Sequence, residues 1–169
     1  MIENPYYSTY GSGYSLYLGL QKAFETGADE IVFAEGDLYF NEDDYQRVCS
    51  ADKSVVTVNR NPILADKSVA LYFDIAGEIR YIYDTGHNEL LIKEPFFAIY
   101  NSGQVWKFSD KEIAKKVFSK TDKEEWKGTN LIFVEKYFRT IGRDKYELIT
   151  LGNWVNCNTL DDFNQIQEY

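Results

Sequence analysis

Ile31-Val32-Phe33-Ala34-Glu35-Gly36-Asp37-Leu38-Tyr39-Phe40 is the stretch on which the reading of this chain turns. A short continuous apolar run fits a strand buried on both faces, the usual case in parallel sheets. In open α/β sheets, ligands gather beyond the carboxyl ends of strands, which is where Glu35, Gly36 and Asp37 follow. Gly36 permits close backbone approach. Two carboxylates supply hard oxygen donors that suit Mg²⁺ or Mn²⁺ holding a polyphosphate. The plain alternative is a solvated acidic turn.

Working outward, apolar residues at Tyr14, Tyr17, Leu18, Leu20 and Phe24 have helical spacing, and Gly27 follows where a helix ends. A helix is expected from Glu42 to Cys49 and a strand from Val55 to Asn59. Val69 to Asp74 and Glu78 to Tyr83 flank Ala76-Gly77 and read as a β-hairpin. Strands are expected at Leu90 to Lys93 and Phe96 to Tyr100. Helices follow at Lys111 to Ser119 and Leu131 to Phe138, then strands at Tyr146 to Leu151 and Trp154 to Cys157. Thr159 caps a last helix running towards Gln167. The order is α-β-α-β, a β-rich insert, then α-α-β-β-α, which predicts an α/β fold with a mixed sheet.

Composition narrows the function. The chain has 169 residues, including 14 Tyr, 11 Phe and 3 Trp, enough apolar material for one domain with a proper core. With 18 basic and 27 acidic residues its net charge is −9, a field that repels nucleic acid and anionic membrane surfaces. No apolar run approaches the roughly 18 residues of a spanning helix. The start, Met1 to Pro5, lacks the pattern of a signal peptide, so a soluble, cytoplasmic domain is expected. Cys49 and Cys157 lack zinc-site spacing, and His87, the sole histidine, reads as a surface turn residue.

Two further segments carry candidate chemistry. Asn4 to Leu20, NPYYSTYGSGYSLYLGL, has Gly11, Ser12 and Ser15 where a small-residue loop feeds a helix. Such a loop brings backbone N–H groups and hydroxyls close to a base or phosphate, or else simply starts the helix. Its third glycine position is Leu16, so it is no dinucleotide fingerprint. In WVNCNTLDDF, from Trp154, the alternating Asn156 and Asn158 face one side of a strand. Their amide oxygens can assist a hard cation, unless Asn158 and Thr159 only begin the last helix.

Together, NPYYSTYGSGYSLYLGL, IVFAEGDLYF and WVNCNTLDDF resemble the later part of a nucleoside-triphosphate transferase domain of the sugar-phosphate and choline-phosphate nucleotidyltransferase type. The first is similar to the family's base-side loop and helix, the second to the strand ending in its metal-binding aspartate, the third to its closing strand and helix. The resemblance implies a partial nucleotide-diphospho-sugar transferase-like (GT-A-like) mixed sheet flanked by helices, with the hairpins as acceptor-binding insert. It spans residues 1–169 as a single domain, truncated at its N-terminal side.

By that resemblance Asp37 is the catalytic metal ligand, with Asn156 and Asn158 assisting, while Gly11, Ser12, Ser15 and Glu35 bind nucleotide. The cofactor is Mg²⁺ or Mn²⁺, the nucleotide CTP for preference, and the partner a small phosphorylated acceptor. Two departures stand out. The family's N-terminal strand and glycine-rich loop with Arg and Lys have no counterpart, and Asn156 is an amide where an acid is expected. The first departure leaves the Ile31 to Ala34 strand as an edge, which predicts a homodimer or a companion chain covering it. The alternatives are a non-catalytic binding module, whether remnant or half of a split enzyme, and a metal-dependent glycosyltransferase, since Glu35-x-Asp37 is similar to that class's acidic motif.

Overall fold

The computed structural model describes residues 2–65, 67–82 and 90–166. Its elements in order are α1 (Ser12–Glu25), β1 (Ile31–Ala34), β2 (Leu38–Tyr39), α2 (Glu42–Ser50), β3 (Ser54–Asn59), β4 (Ala70–Asp74), β5 (Ile79–Tyr81), β6 (Phe96–Phe108), α3 (Lys111–Lys120), α4 (Lys123–Trp126), α5 (Leu131–Ile141), a 3-10 turn (Arg143–Lys145), β7 (Tyr146–Leu151), β8 (Val155–Asn156) and α6 (Leu160–Ile166). The expected end of the hairpin at Tyr83, the turn holding His87 and the approach to Gln167 lie outside the described residues.

A six-stranded mixed sheet organises the molecule in the order β5-β4-β6-β3-β7, with β1 also on β6. Among the described residues, only β3 and β7 run parallel. The fold class is therefore the expected α/β mixed sheet flanked by helices, but the expected parallel surroundings of Ile31–Ala34 are corrected: β1 pairs antiparallel with β6, from Ile31 opposite Phe108 to Ala34 opposite Val105. No other strand pairs with β1 among the described residues, and its Ile31, Val32 and Phe33 are half-buried rather than buried. The strands buried throughout among the described residues are β3 and β4.

Alternation along β3 sorts the core into two layers. Val56 and Val58 join Trp106, Phe108, Leu16, Leu20, Phe133, Tyr137 and Phe138 under α1, α3 and α5. Val55 faces the other way, with Val105, Ile149, Leu151 and Val48 of α2. Each such fully buried side chain contributes about 1.5–3 kcal/mol. Buried Lys107 ties β6 to the end of α2: its Nζ donates to the Cys49 and Ala51 carbonyls at 2.9 and 2.6 Å and pairs with Glu30 at 2.9 Å. Those carbonyls close α2, where the helix supplies no donors of its own.

The β4–β5 hairpin turns as expected, with Gly77 at φ 77° and the Asp74 carboxylate accepting the Ala76 and Glu78 N–H groups. Leu90 to Lys93 forms no strand, correcting that expectation. Conversely β6 runs on from Tyr100 to Phe108 through a stretch that alternation does not mark. Among the described residues, no helix is long and apolar enough to cross a membrane.

Candidate functional site

β1 delivers Glu35, Gly36 and Asp37 to one end of the sheet. Glu35 prolongs the ladder by one bond, its N–H donating to the Gln104 carbonyl at 3.2 Å. Its carboxylate accepts from Nδ2 of Asn130, a residue with 1% exposure at the start of α5. Asn130 occupies the cap position of α5 but makes no side-chain cap, leaving its amide for Glu35. Burial pushes the Glu35 carboxyl up; the Asn130 amide opposes this and the nearby Asp37 charge adds to it.

Ser12 completes this group. Its Oγ accepts the Asn130 N–H at 3.2 Å, so the starts of α1 and α5 and the end of β1 meet around one buried amide. The glycines beside Ser12 have a packing task. Gly11 and Gly13 donate their N–H groups to the Lys127 and Gly128 carbonyls at 2.8 and 3.0 Å. A Cβ on Gly13 would stand 2.9 Å from the carbonyl oxygens of Gly128 and Trp126. Ser15 lies one turn on and exposed, its hydroxyl accepting from Asn4 Nδ2 at 2.9 Å.

Asp37 is exposed and belongs to a second group. Its carbonyl accepts the Cys157 N–H at 2.7 Å, and β2 pairs antiparallel with β8, Leu38 opposite Asn156. The loop after β1 and the closing segment, from opposite ends of the sequence, are thus brought together. Asn158 Nδ2 donates to Asn156 Oδ1 at 2.7 Å. The Asp162 carboxylate accepts the Asn158 and Thr159 N–H groups at 3.0 and 2.8 Å, and the Thr159 hydroxyl chiefly holds its carboxyl below the usual range. Thr159 Oγ1 in turn accepts the Asp162 N–H, the expected cap of α6. Asn158 lies beyond β8, correcting the expectation that it alternates with Asn156 on one strand; its side chain meets Asn156 while its N–H stands at the start of α6.

The site therefore has two parts joined at Gly36: Ser12, Glu35 and Asn130 on one side, Asp37 with Asn156 and Asn158 on the other. No cluster of three or more His, Cys, Asp or Glu suited to a metal occurs among the described residues. Asp37 meets the closing segment through its backbone, and Asn156 Oδ1 already accepts from the Asn158 amide. One carboxylate with two amide oxygens would therefore be a sparse donor set for Mg²⁺, most of whose ligands would come from water or substrate phosphate. Sequence reasoning missed Asn130, whose place before an apolar run signals a cap, and Gln104, which nothing in the sequence marked.

The family described as "Domain of unknown function (DUF6564)" matches residues 1–169. No curated protein matches the chain by sequence. Among solved structures, the chain is similar to the inositol-1-phosphate CTP transferase from T. maritima, at 14% identity and a TM-score of 0.57, covering 99% of this chain and 65% of that one. It is similar to HddC from Yersinia pseudotuberculosis at 16% identity and a TM-score of 0.55, covering 99% and 64%. A nucleoside-diphosphate-sugar pyrophosphorylase from Vibrio cholerae matches at 15% identity and a TM-score of 0.50, covering 94% and 65%. At such identities the likeness establishes the fold. The chain spans just under two thirds of the length of each of these proteins.

Proposed function

The chain belongs to the DUF6564 family, and for it we propose a nucleotidyltransferase-type domain that binds a nucleoside triphosphate, CTP for preference, with a small phosphorylated acceptor. In the reaction of this type, an acceptor phosphate oxygen attacks the α-phosphorus of the triphosphate. The bond to the β-phosphate breaks and pyrophosphate leaves. The observation that supports this reading is the meeting of Asp37 with the closing segment through the Asp37–Cys157 bond and the β2–β8 pairing. Asp37, Asn156 and Asn158 would hold the divalent ion, Mg²⁺ or Mn²⁺, which when bound neutralises phosphate charge. Glu35 and Ser12 line the nucleotide side, with Asn130 fixing both. Gly11 serves there by close packing, since its N–H is engaged by Lys127.

The open edge of β1 supports a companion, either a second copy of the chain or a segment bearing a strand and a glycine-rich loop. Without such a loop the acidic chain offers little to offset charge growing on pyrophosphate. Each lost donor costs roughly a hundredfold or more in rate. A non-catalytic binding module is the second reading, favoured by the amide at Asn156 where an acid would grip the metal more firmly.

Pyrophosphate release separates them. Purified chain with Mg²⁺, each triphosphate, and inositol 1-phosphate, sugar 1-phosphates or phosphocholine should turn over near background. Adding a separately expressed segment with the strand and glycine-rich loop should restore turnover that depends on Asp37. Silence with every such segment supports the binding module, and turnover indifferent to Asp37→Ala overturns the site.

A further inference from the structure

The side chains that begin α2 are turned away from their own helix. Asn41 occupies the cap position yet makes no side-chain cap, and Asp44, the third residue of the helix, is 7% exposed. An acid at that position ordinarily reaches back to the cap N–H. Here its Oδ2 accepts the Gly152 N–H at 2.6 Å, from 108 residues further along the chain. Asn41 Oδ1 accepts from Asn153 Nδ2 at 3.4 Å. A Cβ on Gly152 would stand 3.3 Å from Asn41 Nδ2 and 3.5 Å from Asp44 Oδ2, so this turn lies close against both side chains. Arg47 Nη1 balances the charge, 2.7 Å from Asp44 Oδ1. Burying a carboxylate is costly even when it is paired. An exposed acid would serve the start of α2 as well, so the helix alone does not account for Asp44.

Gly152 and Asn153 join β7 to β8. β7 lies in the main sheet beside β3, whereas β8 leaves it to pair with β2. That second sheet has only the pairs Leu38–Asn156 and Tyr39–Val155, and so short a ribbon is marginal by itself. Where β8 points is therefore set by what holds the turn before it. Trp154 is anchored as well, its indole N–H donating to the Gly103 carbonyl at 2.8 Å and its own carbonyl accepting from Asn61 Nδ2 at 3.0 Å. We propose that Asp44 is a positioning residue: by gripping the Gly152 N–H it aims β8 so that Asn156 and Cys157 meet the Asp37 loop. Its effect on a ligand rests on the nucleotidyltransferase reading above, and Asp44 acts there without touching the ligand. Asn130 at the start of α5 and Asp44 at the start of α2 then have matching tasks, one fixing Glu35 and the other the closing segment.

Two readouts on the full chain test this: amide hydrogen exchange at Cys157, whose N–H bonds the Asp37 carbonyl, and calorimetric titration with CTP plus Mg²⁺. Asp44→Ala removes the acceptor, while Asp44→Asn keeps one and removes only the charge. Lys107→Met controls for lost stability, since Lys107 serves the other end of α2. In Asp44→Ala, exchange at Cys157 should quicken, and CTP binding weaken, at least about tenfold each. Asp44→Asn and Lys107→Met should stay within about threefold of wild type in both. If Asp44→Ala does not fold, Asp44→Ser, whose oxygen ends one bond short of Gly152, carries the same expectations. An unchanged Cys157 rate, or a faster one without weaker CTP binding, overturns the proposal and leaves the nucleotidyltransferase reading standing. Equal losses in Asp44→Asn would assign the effect to charge, and equal losses in Lys107→Met to stability alone; either overturns it too. A wild-type chain that binds no CTP overturns that reading and the ligand half of the proposal, and the Cys157 rates then decide whether Asp44 aims β8.

Discussion

The N–H of Cys157 donates to the carbonyl of Asp37 at 2.7 Å, fastening the loop after β1 to the segment that follows β8. Removing that donor leaves the carbonyl without its partner. Cys157→Pro should therefore cost about 1–3 kcal/mol, read as a lower urea midpoint, whereas Cys157→Ser, which keeps the N–H, should stay within about 0.5 kcal/mol of wild type. Equal midpoints for the two variants would separate the bond from the stability of the site.

Glu35 sets a pH dependence. Its carboxyl is raised in the folded protein, above all by burial, so between the unfolded and folded values the native state holds the proton more firmly. This contribution to stability is fully present below the unfolded value and is lost as pH rises through the folded one. Glu35→Gln keeps an acceptor for Asn130 and removes the titration. Melting curves from about pH 4 to 8 should show wild type losing stability relative to Glu35→Gln as pH rises through the carboxyl range. A constant difference between the two across that range contradicts this.

Glycines of α1 should respond in opposite senses. Gly13→Ala drives a Cβ against the Gly128 and Trp126 carbonyls and should cost about 1–3 kcal/mol. Gly19 is exposed in the same helix with nothing within 4 Å of an added Cβ, so Gly19→Ala should stabilise by about 0.5–1 kcal/mol. Chemical denaturation of both variants checks the pair, and a shared sign would show that α1 does not meet the α4–α5 connection as described.

Lys107 and Glu30 form an unequal pair, the lysine buried and the glutamate 48% exposed on its side chain. Lys107→Met strands the Cys49 and Ala51 carbonyls and should cost roughly 1–3 kcal/mol. Glu30→Gln should cost less than about 1 kcal/mol, because its charge is already largely in water. Similar losses would mean that the ion pair, and not the capping of α2, is what Lys107 contributes.

Much of this fold was legible because its signals are local. The helical spacing of Tyr14 to Phe24, the Gly77 hairpin and the Thr159 cap each report their own neighbourhood, and the structure has them. The second half of β6 was illegible for a physical reason. Asn101, Ser102, Gln104 and Lys107 are buried there, so polar side chains stand where alternation expects apolar ones. The apolar run Ile31–Ala34 does form a strand, but a half-buried one, because burial depends on the neighbouring strand and not on the run itself. In the candidate site, Glu35, Asp37 and Ser12 followed from loop position. Asn130 and Gln104 did not, since an asparagine before a helix reads as a cap and a lone glutamine carries no pattern.

Thermal unfolding with CTP and Mg²⁺ tests the nucleotide site most directly, because a ligand stabilises the state it binds. The expected result is a rise in melting temperature for the wild-type chain and for Glu42→Ala, at the exposed start of α2, and none for Asp37→Ala. Equal rises in wild type and Asp37→Ala, or no rise at any CTP concentration, would contradict a nucleotide site built around Asp37.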